Sequence, residues 1–307
     1  MSQKVNLRTS HVVVGSLVGE WLADGRLALP RSVSLEIEVA PFVRLPDSRS
    51  TFKYGHVAVR SGSAAQNVTM EWEPGLGFAY IEPQSTTAHV TITEPGLDIP
   101  HEMLRQFLFC VCIMLLRRVG LHHVHGATLR DPRNRDWLLV GPSGSGKSTT
   151  TALLAKNGWN AGTDDNAFFA AGDAPGQVDV LAWRERVALH NDAVSATRFE
   201  GGTALGARKK TGWYAEELGS TWLDRITPTF LAFPTVNASS TTTATPLRAK
   251  EALSRTMQSS SWVMLEADRA DEHLGLMTRL VKQAPAFDLS LGRDIFHRPE
   301  LLLELFP

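Results

Sequence analysis

Near the middle of the chain the sequence reads Gly141-Pro142-Ser143-Gly144-Ser145-Gly146-Lys147-Ser148. This run fits the pattern G-x-x-x-x-G-K-[ST] in full, which is typical of a P-loop, a loop that binds nucleotide phosphates. Glycines let backbone N–H groups turn toward phosphate oxygens, and a following helix adds its N-terminal amides and positive dipole end. The pattern of Trp137–Val140 predicts a buried strand before the loop, and that of Thr149–Asn157 predicts a helix after it. We therefore expect a strand–loop–helix unit in an α/β nucleotide-binding domain.

The same motif predicts the role of each residue of the loop. Lys147 would reach the β- and γ-phosphates as a point charge, and the Ser148 hydroxyl would ligate Mg²⁺. The predicted cofactors are ATP and Mg²⁺. We expect the nucleotide to contact a set of neighbouring residues, namely Gly141, Ser143, Gly144, Ser145, Gly146, Lys147, Ser148 and Thr149.

An acidic partner is required, because phosphoryl transfer needs a held Mg²⁺ and an oriented or deprotonated nucleophile. Asp164 and Asp165 are the candidates, and Asp164 comes 17 residues after Lys147. They follow Trp159–Thr163, which we expect to be the strand beside the P-loop strand. One carboxylate would hold the metal, for which we choose Asp165 together with Ser148, and the other would accept a proton. Repulsion between the two would raise one pKa, and their separate roles stay open.

A histidine and a basic loop supply further candidates. His125 precedes Gly126 on the predicted strand Val124–Leu129, although the residues alone do not distinguish it from His122 and His123. Ser195–Ser220 is polar and rich in glycine, so we expect a long loop.

Within that loop, Arg208-Lys209-Lys210 is a basic cluster. Its lysines would close over the γ-phosphate, or the cluster is simply a solvated basic loop. Lys210 is our choice and Lys209 the alternative. Arg184 and Arg186 are further candidates for phosphate contact.

The chain of 307 residues is long enough for two domains. We predict a β-rich accessory domain over residues 1–97 and a P-loop kinase-like catalytic domain over residues 98–307. The predicted elements are strands at Val33–Val39, Asn67–Trp72, Gly77–Ile81, Thr87–Thr93 and Thr229–Phe233, a hairpin of Ala167–Ala171 with Val178–Trp183, and helices at His101–Val119, Pro246–Met257, Asp271–Lys282 and Pro299–Leu305. Ser239–Thr245 reads as a loop.

Composition limits the classes of partner. The formal net charge is −1, which provides no global attraction to nucleic acid or to an anionic membrane. The apolar run Phe107–Leu116 is too short to span a membrane and is expected to be a core helix. Since no leader is recognisable and Cys110 and Cys112 read as buried free thiols, we expect a cytoplasmic protein.

Three of these elements, His125-Gly126, Gly141–Ser148 and Asp164-Asp165, together resemble the catalytic domain of HPr kinase/phosphorylase. The resemblance covers about residues 121–170. It implies a P-loop fold related to phosphoenolpyruvate carboxykinase and ATP-dependent phosphorylation of a serine hydroxyl. It also implies that Lys147 and Ser148 bind phosphate and Mg²⁺, that Asp164 and Asp165 supply the base and the metal contact, and that His125 lies near the transferred phosphate.

The chain departs from the family's pattern at Thr149, where an acidic residue is usual, and at Pro142, where Asp is usual. It looks more like divergent HPr-kinase-related proteins, some of which phosphorylate a terminal serine of lasso peptides. The expected function is an ATP- and Mg²⁺-dependent kinase whose acceptor is a serine of a peptide or protein. The alternatives are a kinase of a small hydroxylated metabolite and a nucleotide-gated binding module with slow ATPase activity. The oligomeric state and the preference for ATP or GTP stay open.

Overall fold

The computed structural model describes residues 4–25, 27, 29–42, 52–60, 67–73, 75–205, 209–237 and 239–306. The chain divides into two compact units, of which unit 1 comprises Met1–His122 and Val263–Glu272 and unit 2 comprises His123–Trp262 and His273–Pro307. Helices and mixed sheets together form an α/β fold, as the sequence predicted.

Unit 1 contains a seven-stranded sheet of order β1-β2-β7-β6-β5-β4-β3. Its strands are β1 (Val5–Arg8), β2 (Val33–Ala40), β3 (Phe52–Tyr54), β4 (Val57–Arg60), β5 (Val68–Trp72), β6 (Gly77–Ile81) and β7 (Thr87–Thr93). The first three strands of that order are parallel and the rest are antiparallel. The helices are α1 (Val12–Asp24), α2 (Glu94–Leu97) and α3 (His101–Arg117).

Alternating side chains build the core of unit 1. Val33, Leu35 and Ile37 of β2 are buried while the residues between them are not, which is the period-2 pattern predicted from the sequence. Phe107 of α3 stacks on Trp72 of β5 with ring centroids 5.4 Å apart. Because this apolar face of α3 packs on the sheet, unit 1 extends past the boundary predicted at residue 97.

Unit 2 is built on a nine-stranded mixed sheet. The order is β16-β12-β11-β8-β9-β17-β19-β18, with β10 paired to β8. These strands are β8 (His122–Arg130), β9 (Asp136–Val140), β10 (Asn160–Ala161), β11 (Asn166–Ala171), β12 (Val178–Ala182), β16 (Arg225–Ile226), β17 (Phe230–Val236), β18 (Thr243–Leu247) and β19 (Ala286–Leu291). β9, β17 and β19 are parallel, so their carboxyl ends lie at one edge of the sheet.

A small three-stranded sheet of order β13-β15-β14 completes the β structure of unit 2. Its strands are β13 (Val187–His190), β14 (Thr203–Leu205) and β15 (Lys210–Trp213). The helices are α4 (Lys147–Lys156), α5 (Asn191–Thr197), α6 (Ala249–Gln258), α7 (Ala267–Gln283, in unit 2 from His273) and α8 (Leu301–Leu305), with 3-10 turns at Ala215–Leu218 and Arg293–Phe296. An aromatic cluster around the buried Trp137 includes Trp159, Phe230 and Phe306.

Two strands predicted before the acidic pair, Val124–Leu129 and Trp137–Val140, are confirmed as β8 and β9, and so is the hairpin of β11 and β12. The third predicted strand, Trp159–Thr163, differs from the prediction. There the strand is only Asn160–Ala161, and it pairs antiparallel with β8, so the prediction that it lies beside the P-loop strand is wrong. The reason is local. The amide of Gly162 donates to the Thr128 carbonyl at 2.9 Å and that of Thr163 to the Thr128 hydroxyl at 3.1 Å, which turns the chain along β8.

Two predicted loops contain regular structure. Ser195–Ser220 includes the end of α5 and the hairpin of β14 and β15, and Trp213 of β15 is buried in the core of the unit. β18 begins at Thr243, inside the predicted loop Ser239–Thr245. Gly206 to Arg208, which include the first residue of the basic cluster, lie outside the described residues.

Apolar residues of α3 are buried in unit 1, as expected of a core helix, and Cys110 and Cys112 are buried free thiols. Across the described part of the chain, every helix is too short or too polar for a membrane span.

Candidate functional site

The glycine-rich loop connects β9 to α4 at the carboxyl edge of the parallel strands. Gly144 and Gly146 have φ values of 82° and 101°, a region that favours glycine. Gly146 is the N-cap of α4, and no described side chain caps the helix. The first-turn amides of α4 therefore have no partner within the helix and are suited to an anion.

Crowding around Gly146 explains why this position needs glycine. A Cβ atom there would lie 2.7 Å from Leu291 Cδ1 and 3.0 Å from Val236 Cγ2. Those side chains come from the carboxyl ends of β17 and β19, which flank the loop. The helix N-terminus is therefore held between strand ends and open on its other side to a cavity.

Lys147 is folded back onto its own loop. Its Nζ donates to the Gly141 carbonyl at 2.8 Å and the Pro142 carbonyl at 3.2 Å, and lies 3.2 Å from His125 Nε2. Burial lowers the pKa of Lys147, and the charge of Asp165 opposes that shift. A phosphate would offer this ammonium group stronger, charged acceptors than the two carbonyls.

Asp165 Oδ1 lies 2.7 Å from His125 Nε2, within hydrogen-bond distance. Burial would raise the pKa of Asp165, but the hydrogen bond from His125 and the charges of His125, Lys147 and Lys210 outweigh it and hold the pKa well below its usual range. The carboxylate is therefore ionised at neutral pH. Lys147, His125 and Asp165, all predicted from the sequence, form one connected cluster.

Asp164 occupies a different environment. Its side chain is buried, Oδ2 accepts from the Ala188 amide at 3.2 Å, and Oδ1 has no hydrogen-bond partner among the described residues. Burial raises its pKa, the charges of Asp165 and Glu185 raise it further, and the nearby Ser148 hydroxyl opposes the shift. Ser148 is thus adjacent to Asp164, whereas Asp165 faces Lys147 and His125.

Glu185 organises the acidic turn, and the sequence did not indicate it. Oε1 accepts from the Thr163 hydroxyl, from the Asp165 amide at 2.9 Å and from the Asn166 amide at 2.9 Å. Oε2 accepts from the Asn166 side-chain amide at 2.7 Å, and Asn166 Oδ1 lies 3.0 Å from Nε2 of the buried His123. A carboxylate with four donors orients the backbone from Thr163 to Asn166 and with it Asp165. The one sequence signal is an acidic residue directly after the predicted hairpin.

A cavity of about 550 Å³ joins these elements. Among its lining residues are Ser143, Gly144, Gly146, Lys147, Ser148, Thr149, Asp165 and Lys210 from the predicted set. Gly141, Ser145, His125 and Asp164 of that set do not line it. His125 and Asp164 stand directly behind the lining, and Ser145 contacts Gly141 inside the loop.

The basic candidates differ in their position relative to the cavity. Lys210 of β15 lines the cavity, and its charge acts on both Lys147 and Asp165. Lys209 is exposed, and Arg208 lies outside the described residues.

Arg184 and Arg186 do not line the cavity. They pair with Glu216 and Glu217 and lie over the ring of Tyr214, so the prediction that they reach phosphate is not supported by their position. The ion pairs and the aromatic face hold both guanidinium groups against residues 214–217.

The donor set beside the loop fits a magnesium ion. Asp164 Oδ1 is a buried carboxylate oxygen with no described partner, and a hydroxyl oxygen of Ser148 is next to this carboxyl group. Mg²⁺ prefers oxygen ligands and usually binds one or two carboxylates with substrate phosphates and water. Within the described ranges, no three His, Cys, Asp or Glu side chains converge as a ready metal site.

No family model matches the chain, and no curated protein matches it either.

Proposed function

We propose that this protein is an ATP- and Mg²⁺-dependent phosphotransferase that moves the γ-phosphate to a hydroxyl group, with a serine of a peptide or protein as the acceptor. The observation that carries the proposal is the cluster of Lys147, His125 and Asp165 beside the open N-terminus of α4, in which Lys147 and Asp165 line a cavity of about 550 Å³. Phosphate-binding amides, a cation and an ionised carboxylate are the groups that phosphoryl transfer requires.

Each residue has a separate role in the proposed reaction. The loop amides and Lys147 hold the β- and γ-phosphates, and Lys210 neutralises charge on the transferred group. The acceptor oxygen attacks the γ-phosphorus, a new P–O bond forms, the bond to the β-phosphate oxygen breaks, and ADP leaves. The hydroxyl proton passes to Asp165, whose hydrogen bond with His125 fixes the carboxylate toward the cavity.

Ser148 and Asp164 would hold the magnesium ion. When bound, it neutralises phosphate charge and so lowers the barrier to transfer. This assigns the metal to Asp164 and the proton to Asp165, the reverse of the division chosen from the sequence. Two observations favour the reversal: Ser148 lies beside Asp164, and Asp165 lines the cavity while Asp164 does not.

The resemblance to HPr kinase/phosphorylase supports the same chemistry. His125, the glycine-rich loop and the acidic pair stand apart in the sequence and are brought together in unit 2. On this basis we propose an HPr-kinase-like P-loop domain related to phosphoenolpyruvate carboxykinase for unit 2. Because folds of one kind serve many substrates, the acceptor is identified by assay of the protein itself.

The test is transfer from γ-labelled ATP with Mg²⁺ to a panel of serine-containing peptides, with product ADP measured in parallel. We expect label on serine for the wild type and for the control variants Lys156→Ala and Asp173→Asn, which change exposed residues of the same types. Lys147→Ala and Asp165→Asn should lose about 100-fold or more in rate.

The other outcomes are equally informative. Label on a small hydroxylated compound and not on peptides would replace the acceptor in the proposal and retain the reaction. Tight binding of ATP without any transfer would favour a nucleotide-gated binding module. Equal rates for Lys147→Ala and Lys156→Ala would contradict the role of the loop.

A further inference from the structure

We propose that Arg293 is a second anion-binding arm of this cavity, and that it binds the α-phosphate and ribose end of the nucleotide, away from the transferred phosphate. The inference rests on the proposed function and extends it to a residue outside the predicted motif. Arg293 lines the cavity, its side chain is exposed there, and no described carboxylate forms an ion pair with it.

The backbone around Arg293 is held rigidly. Both carboxylate oxygens of Asp294 accept from the Thr242 amide at 2.9 Å, and the Gly292 amide donates to the Thr242 hydroxyl at 3.0 Å. A Cβ atom on Gly292 would lie 2.4 Å from the backbone of Thr241. This close clamp fixes the turn that carries Arg293, so that the cost of ordering its guanidinium on a ligand is reduced.

Strand order decides which part of the nucleotide Arg293 meets. The order β8-β9-β17-β19 places His125 of β8 on one side of the strand that leads into the loop, and Arg293, just after β19, on the other side. Two strand spacings, roughly 10 Å, separate β19 from β9. Transfer chemistry is assigned to the side of His125 and Asp165, so the opposite side receives the far end of the nucleotide.

The lining of the cavity changes in the same direction. Charged groups cluster with Lys147, whereas the lining beside Arg293 is apolar: Val236 and Leu291 end strands β17 and β19, and Ile295 and Phe296 belong to the 3-10 turn of Arg293. Val236 is 60% exposed at the end of β17, where it lines the cavity, and its apolar side chain suits contact with a ribose or base. Arg293 lies where the charged part of the lining meets the apolar part, and a guanidinium group at that boundary suits the α-phosphate.

The experiment measures dissociation constants of MgATP and MgADP by calorimetry for the wild type, Arg293→Ala, Arg293→Lys and the control Arg298→Ala. Arg298 is an exposed arginine one turn later that pairs with Glu300 and Glu304. Arg293→Ala should weaken both nucleotides by about 10- to 100-fold, and Arg293→Lys should recover part of the loss. The rate of ADP formation at saturating ATP should stay within about threefold, since the contact is equal in ground and transition states.

The outcomes separate this inference from the proposed function. Weaker MgATP with unchanged MgADP would place the arginine on the γ-phosphate and overturn the assignment. Unchanged binding of both nucleotides in Arg293→Ala, with binding lost in Lys147→Ala, would refute the inference and leave the proposed function standing. If the wild type binds neither nucleotide, the proposed function itself fails.

Discussion

Replacing Glu185 by Gln tests whether the acidic turn is held by this one carboxylate. Gln keeps the shape and can still accept from Thr163 and from the amides of Asp165 and Asn166. Each of those three bonds changes from charge-assisted to neutral, at about 1 kcal/mol apiece. The bond from the Asn166 side chain is replaced by two facing amide NH₂ groups, which costs about 1–3 kcal/mol more.

Part of this loss is recovered. Burial raises the pKa of Glu185 and the charge of Asp165 raises it further, so the ionised form carries a penalty that Gln avoids. The net destabilisation should be about 2–4 kcal/mol. For a unit of this size the midpoint of thermal unfolding should fall by about 4–16 °C.

The assay combines thermal unfolding with steady-state formation of ADP from MgATP. Because Asp165 would lose its support, kcat should fall about tenfold or more, while the MgATP dissociation constant stays within about threefold. The control Glu251→Gln alters an exposed glutamate that pairs with Arg248, away from the cavity, and should change neither quantity. An unchanged unfolding midpoint, or a lower midpoint with full kcat, would refute the reasoning.

Three further predictions concern single positions. Gly146→Ala should abolish measurable MgATP binding, since a left-handed φ costs about 1–2 kcal/mol and the new Cβ meets two strand-end side chains. The control Gly158→Ala, at a similar φ of 87° but with open space around the new Cβ, should retain MgATP binding. An equal loss of MgATP binding in both variants would count against the crowding argument. His125→Gln removes the partner that lowers the pKa of Asp165, so the acid limb of the pH–activity profile should move to higher pH, and an unmoved limb would dissociate the two residues. Burial would raise the pKa of Asp131, but main-chain and side-chain donors outweigh it and hold the pKa below its ordinary 3.8. The unfolded chain therefore binds the proton first as the pH falls, so the stabilisation is present above the pKa of the unfolded chain and is lost as the pH falls through the pKa of the folded protein. Asp131→Asn should therefore flatten the dependence of the unfolding midpoint on pH between pH 5 and pH 2.5.

The sequence predicted the local parts of this fold well. The glycine-rich loop and its flanking strand and helix depend on neighbours within a few residues, and the hairpin β11–β12 has clear alternation on both arms. Placement in the sheet was harder to predict. The chain before Asp164 follows β8 because of two hydrogen bonds to Thr128, a residue about 35 positions earlier.

In the candidate site, too, residues whose role depends on distant parts of the chain could not be predicted from the sequence. Lys147 and Asp165 could be predicted because a motif and an acidic pair stand out in the sequence. Glu185 and Arg293 could not, because their meaning depends on partners that the fold brings near, and a single Glu or Arg on a surface turn is the usual solvated residue. The hairpin carrying Lys210 has few apolar residues, so its glycines suggested a loop where the structure has strands.

The most direct test of the central claim is a crystal structure of the protein with Mg²⁺ and a non-hydrolysable ATP analogue. We predict the β- and γ-phosphates on the amides of residues 144–148, Lys147 Nζ turned from the Gly141 carbonyl to a phosphate oxygen, the metal beside Ser148 and Asp164, and the γ-phosphate facing Asp165. An analogue bound elsewhere, or a loop that keeps Lys147 on its own carbonyls at saturating nucleotide, would contradict the account.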